Sequence, residues 1–144
     1  MPLPLLLVAA APGLAAHPPS PRLALNTAAR DGDFQAARKV ILESPLAAVD
    51  LDAALACAAR RSHVHVMTFL VDSGAADLDG ALVQAAMRNQ MPACRWLVDD
   101  QRYVPAADLE TAQLAAAAVG ATEAEWLMVT ERLARKRKRK RRDE

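Results

Sequence analysis

Histidine and cysteine are the side chains here with the most direct chemistry, and their spacing decides what they can do. His63 and His65 stand two residues apart. On a helix that spacing turns the rings to different sides, so the two cannot chelate one metal by themselves. Cys57 and Cys94 lie far apart with no Cys-x-x-Cys spacing, and read as small buried hydrophobes rather than a zinc or redox pair. The glycines, Gly13, Gly32, Gly74, Gly80 and Gly120, are too scattered to form a phosphate-cradling loop. Carboxylates are plentiful but fall where helices begin and end, where capping accounts for them. No catalytic, metal or cofactor constellation follows, and the expectation is a protein that binds rather than an enzyme.

The strongest chemical signal is electrostatic. Arg135, Lys136, Arg137, Lys138, Arg139, Lys140, Arg141 and Arg142 are eight consecutive positive charges. Without them, residues 1–134 hold 10 Lys and Arg against 15 Asp and Glu, so the body carries −5 while the whole chain is +1. Such a run repels itself and is expected to stay extended or fray unless phosphate or acidic groups neutralise it. It resembles a monopartite nuclear import signal centred on Lys136-Arg137-Lys138-Arg139. A non-specific contact to nucleic-acid backbone, weakening steeply with salt, and a plain solubilising cap are the alternatives. A membrane surface finds no support, since no lipid site or apolar face adjoins the block.

The elements that must carry these groups are helical. With 144 residues, 53% hydrophobic and 3% aromatic, the chain is one domain or one short array of repeats. Two cysteines cannot staple a disulfide scaffold, and few aromatics and glycines argue against a β-sandwich or barrel. The Ala- and Leu-rich remainder favours helix.

From Leu23 to about Arg132 the chain repeats itself. Ala-Ala pairs recur at 28–29, 58–59 and 85–86, steps of 30 and 27 residues, with a weaker fourth pair near 115–116. Linkers repeat too: Val49-Asp50-Leu51-Asp52, Ala76-Asp77-Leu78-Asp79 and Ala107-Asp108-Leu109-Glu110. Anchoring on the linkers instead moves the fourth pair by one position. A fixed period in this range marks a solenoid.

Each unit reads as two short antiparallel helices. Helix A runs from about Asp52 to Arg61 in the second unit, with Asp50 as its cap and Asp52 at the positive end of its dipole. Leu51, Leu55, Ala58 and Ala59 share one side, and the alanines let neighbouring units approach closely. Turns at Gly32, Ser62-His63 and Asn89-Gln90 lead to helix B, which starts at Phe34, Val64 or Met91. In the second unit its apolar positions are Val66, Met67, Leu70 and Val71. One pair cannot bury its apolar face alone, so stacking of three to four units must supply the core. Trp96 and Trp126, 30 residues apart, read as one column of inter-unit packing on helix B.

At this point the sequence resembles the ankyrin-repeat family. In Ala59 to Ala75, Ser62-His63 matches the family's turn, Val66-Met67 its aliphatic pair, Leu70-Val71 its terminal pair and Gly74-Ala75 its ending. The likeness covers about three quarters of the chain. It departs in lacking the Thr-Pro-Leu-His opening, of which only Leu25, Leu55 and Leu82 remain. Its period of 27 to 31 residues, against 33 for the family, shortens the finger between units to a turn. A generic helical-hairpin repeat is the structural alternative. The resemblance implies an all-α solenoid of 3–4 stacked helix-turn-helix repeats, and binding to protein partners along the turn edge. Carried over, the two variable positions after each Ala-Ala pair are Arg30 and Asp31, Arg60 and Arg61, and Met87 and Arg88. The four arginines form a row suited to carboxylates or phosphates on an acidic partner, with solvated helix-end arginines as the plainer reading. The same resemblance implies a turn histidine at His63 that hydrogen-bonds backbone.

The resulting organisation is a Pro-rich apolar segment at 1–21, a repeat domain at 22–134 and a basic tail at 135–144. Six of nine prolines lie in the first segment, around an apolar run from Leu5 to Ala11. A signal peptide cut after residue 16, a half-repeat cap and a disordered leader are its three readings. Pro12 and Gly13 end the run too early for a membrane span. Nuclear or cytoplasmic placement follows, or secretion if the leader is cleaved, with a monomer as the expected state. The import receptor or nucleic acid would engage the tail. The last helix B is expected over Glu123 to Leu133, running directly into the basic block.

Overall fold

The computed structural model describes residues 19–99 and 106–144. The readings of the N-terminal segment therefore lie almost wholly outside the described residues. What is described is all-helical: α1 (Pro21–Asp31), α2 (Phe34–Glu43), α3 (Leu51–Arg60), α4 (Val64–Asp72), α5 (Leu78–Met87), α6 (Met91–Asp99), α7 (Ala106–Val119) and α8 (Thr122–Asp143), with one 3₁₀ turn at Leu46–Ala48. Helix B of the first three units starts where the apolar periodicity places it, and α3 lies one residue N-terminal of expectation. No strand occurs among the described residues, so a turn does join the first two units.

Helix starts follow from short polar side chains. Ser20, Asp33, Asp50 and Asp77 accept from the backbone N–H groups of Leu23, Ala36, Ala53 and Gly80, which have no partner inside their own helices. Asp52 lies in the first turn of α3, as expected, and has a second task. Its Oδ1 accepts from Ala76 N at 2.8 Å and Asp77 N at 3.1 Å, holding the link to the third unit.

Helix ends follow one rule in all four units. The residue after each odd-numbered helix or its cap takes a left-handed backbone: Gly32 at φ 75°, Ser62 at 62°, Asn89 at 53° and Gly120 at 75°. In each case its N–H, and that of the next residue, return to the carbonyls of an Ala-Ala pair, as with Gly32 to Ala29 and Asp33 to Ala28. This pair of hydrogen bonds closes the last turn and reverses the chain. In the fourth unit the acceptors are Ala117 and Ala116. The pair is therefore 116–117, the register given by the linkers and not by a 30-residue step.

Packing follows the same order. α1 lies against α3, α3 against α5 and α5 against α7, while each even helix folds back on the odd helix before it. The core is one cluster: Leu25, Ala28 and Ala29 in the first unit, Leu55, Ala58 and Ala59 in the second, Leu82, Ala85 and Ala86 in the third, all buried. The alanine methyls allow the odd helices to approach closely, while Val66, Met67, Leu70, Leu97 and Met128 fill the space between the two layers. No polar or charged residue is buried among those described.

The tryptophan column does not exist. With turns at Asn89 and Gly120, Leu127 occupies the place of Trp96, and Trp126 the exposed place of Arg95. Trp96 packs against the core, whereas Trp126 is 71% exposed. A one-residue slip turns a helical side chain by about 100°, enough to move it from core to solvent.

Candidate functional site

The repeating turn places its variable side chains in a fixed way. Arg30, Arg60 and Met87 sit two residues before the left-handed position, and Asp31, Arg61 and Arg88 one before it. Because the turns of successive units lie side by side, charges at these places converge. Arg30, Arg60, Arg61 and Arg88 line one cleft of about 410 Å³, completed by Cys57 and Gln90. All four arginines are exposed. Asp31 and Met87 are outside its lining, although Asp31 borders it through an ion pair with Arg30 at 3.2 Å. Among the described residues, the guanidinium groups of Arg60, Arg61 and Arg88 have no acidic partner and donate no hydrogen bond. In the fourth unit the same places hold Ala118 and Val119, so the row ends at the third.

The cleft is held by backbone fixed from the neighbouring unit. His63 Nε2 lies 3.0 Å from the Arg30 carbonyl, and His65 Nε2 lies 3.3 Å from that of Gly32. A carbonyl only accepts, so both rings carry a proton on Nε2. His63 thus bonds backbone across units. The next junctions use different atoms: Ser62 Oγ accepts from Ala93 N at 3.0 Å, and Asn89 Oδ1 accepts from Ala124 N at 3.1 Å. Turn residues of one unit thereby cap helix B of the next.

These caps, with Gln90 and Cys57 in the cleft, went unread in the sequence. Cys57 carried a readable signal, since it stands four residues before Arg61 on one helix face. Cys57 is half-buried. Cys94 is fully buried, and that burial pushes its thiol up to about 12, far from a reactive thiolate.

The basic block corrects one expectation. It is neither extended nor frayed, because α8 continues through it to Asp143. Lys and Arg are good helix formers, the helix is already nucleated by its packed first half, and positive charge is favoured at a helix C-terminus. Nor does all of it stand free. Arg135 pairs with Glu131 at 3.0 Å and donates to the Val98 carbonyl at 3.3 Å, its side chain only 14% exposed. Lys136 to Arg142 are exposed. Arg132 holds the preceding turn through Glu110 and Gln113.

No helix among the described residues is long and apolar enough to cross a membrane. No family model matches this chain, no curated protein matches it, and no solved structure matches it.

Proposed function

We propose that the chain is a protein-interaction module, an ankyrin-like solenoid of four helix-turn-helix units that binds an acidic or otherwise anionic partner at its turn edge. The observation that carries this reading is the cleft shared by Arg30, Arg60, Arg61 and Arg88. Four guanidinium groups from three consecutive units meet on a body whose net charge is −5. Guanidinium forks bind carboxylate and phosphate bidentately, and an anionic segment lying across the units would meet several in turn. Binding, not catalysis, is the role this geometry suits. Reversing Arg60 and Arg61 to Glu is expected to abolish capture of the native partner in nuclease-treated extract while leaving the thermal melt in place. Unchanged capture would remove the cleft from the function.

The tail is read as a nuclear address, with Lys136 to Arg142 as its accessible part. Fusing residues 134–144 to a reporter and scoring nuclear enrichment tests it. One observation favours the second reading, a nucleoprotein subunit: a helix with exposed basic residues on all sides has the width that a duplex major groove accepts. Under that reading, tail deletion and rising salt both release the protein from RNA or DNA. Under the first, tail deletion changes location and leaves partner capture intact.

A further inference from the structure

We infer that the group recognised in the arginine cleft is a phosphate monoester dianion; this rests on the proposal that the cleft is a recognition site and names its ligand. The first argument is charge. Arg30 is partly neutralised by Asp31, which leaves Arg60, Arg61 and Arg88 without acidic partners among the described residues. Among the described residues, no carboxylate lines the cleft. A carboxylate or a phosphodiester brings one negative charge, whereas a phosphate monoester brings about −1.5 to −2 at pH 7.

The second argument is geometry. Arg61 has φ −114° and ψ 2°, and Arg88 has φ −98° and ψ 4°, so each closes its helix just before a left-handed residue. Arg60 still belongs to α3, and Arg61 follows it in the turn, so these two side chains leave the backbone in different directions. Arg88 approaches from the neighbouring unit. Guanidinium groups arriving from separate directions suit an acceptor whose oxygens also point in separate directions. A phosphate monoester has three terminal oxygens in a tetrahedral array. A carboxylate is planar and offers two oxygens in one plane, so it suits one fork, or two donors in that plane, better than three guanidinium groups arriving from separate directions.

The third argument is room. A cleft of about 410 Å³ falls within the range of small-ligand sites, larger than one acidic side chain needs. The space beyond the phosphate is lined by the half-buried Cys57 and by Gln90, whose amide can donate to or accept from the group bearing the ester. That bearer is either a phosphorylated side chain of the partner or a free phosphorylated small molecule.

The test uses the full chain and calorimetry or amide and Arg side-chain resonances. The probes are a short Gly/Ser peptide with one phosphoserine, the same peptide with Glu at that place, its unmodified form, and adenosine monophosphate. A phosphate-bearing probe should bind at least tenfold more tightly than the Glu peptide. Arg60→Gln or Arg88→Gln should each weaken it about tenfold or more, with Asp31→Asn within about twofold. Its affinity should fall between pH 7.5 and 5.5, as the dianion takes up a proton near pH 6. Preference for the peptide assigns the ligand to a phosphorylated partner, and preference for the nucleotide to a small molecule; both support the inference. Equal binding of the Glu peptide overturns it and leaves the interaction module standing. So does no binding by any probe while Arg60→Glu/Arg61→Glu still abolishes partner capture. If that capture is also unaffected, both readings fall.

Discussion

His63 and Gly32 fit together across the first unit boundary so closely that a side chain on Gly32 would run into the His63 ring. A Cβ on Gly32 would stand 2.6 Å from His63 Nδ1, while the same ring holds the Arg30 carbonyl through Nε2. Gly32 also has φ 75°. Gly120 shares that φ, yet an added Cβ there meets nothing within 4 Å. Gly120→Ala is therefore expected to cost only the left-handed penalty, about 1–2 kcal/mol. Gly32→Ala should cost about 3 kcal/mol or more, because the ring must give way. In a double-mutant cycle with His63→Ala, the excess should disappear. Equal costs at the two glycines would show that the ring yields freely.

Asn89 performs two tasks that substitution can separate. It adopts φ 53°, and its Oδ1 accepts from Ala124 N in α8. Asn89→Gly keeps the backbone conformation and loses the cap, for an expected loss of about 1 kcal/mol. Asn89→Ala loses both and should cost about 1 kcal/mol more. Urea unfolding of the two variants measures the difference.

Much of this architecture was legible in the residues, and the failures have physical causes. Helix B starts at Phe34, Val64 and Met91 because apolar periodicity and turn residues coincide there. The linker motif carried the true register of the fourth unit, since Leu51, Leu78 and Leu109 each precede the left-handed residue by 11 positions. The Ala-Ala pair misled there because Ala115 to Ala118 is a run of alanines in which any two look alike. That slip created the false tryptophan column. The arginine cleft was legible because two adjacent repeat positions before the turn carry arginine in successive units, Arg30 and Arg60 at one and Arg61 and Arg88 at the other. The caps by Ser62 and Asn89 were not, since they join residues 31 and 35 apart and follow only once the stacking is known. The helical tail was misjudged by weighing repulsion between neighbours above helix propensity and a packed nucleus.

Asn26 is out of keeping with its own repeat. Its Oδ1 is buried without a hydrogen-bond partner among the described residues. The corresponding places in the second and third units hold Ala56 and Val83. Leaving a buried acceptor unsatisfied costs about 1–3 kcal/mol. Asn26→Ala is therefore expected to stabilise the protein by about 1 kcal/mol, less than the full penalty because some packing goes with the amide. A lower unfolding midpoint would show that the amide contributes more by packing than it costs.

Cys94 links stability to alkaline pH. Burial raises its thiol from 9.0 to about 12. Below pH 9 the thiol is protonated in both states, and its contribution is intact. Between about 9 and 12 the unfolded chain loses the proton first, so stability falls, by at most about 1.4 kcal/mol per pH unit. Cys94→Ala starts lower because of the cavity, but its stability should decline less steeply from pH 8.5 to 10. In the folded protein a thiol reagent should modify Cys57 and reach Cys94 only on unfolding. Parallel slopes, or two equally reactive thiols, would contradict this.

Arg135 decides whether the basic rod is fastened to the domain. Its guanidinium pairs with Glu131, one turn back on α8, and reaches the Val98 carbonyl at the end of α6. Side-chain exposures of 14% and 20% for the pair mean little solvent screening, so this bridge should exceed an ordinary surface pair. Arg135→Ala is expected to cost about 1 kcal/mol and to reduce helical ellipticity, because the helix beyond it loses its last contact with the domain. Lys136→Ala, one residue on and exposed, should change stability by less than about 0.5 kcal/mol. If the two variants behave alike, the Arg135 contacts do not fasten the tail, and any tail receptor would read eight residues instead of seven.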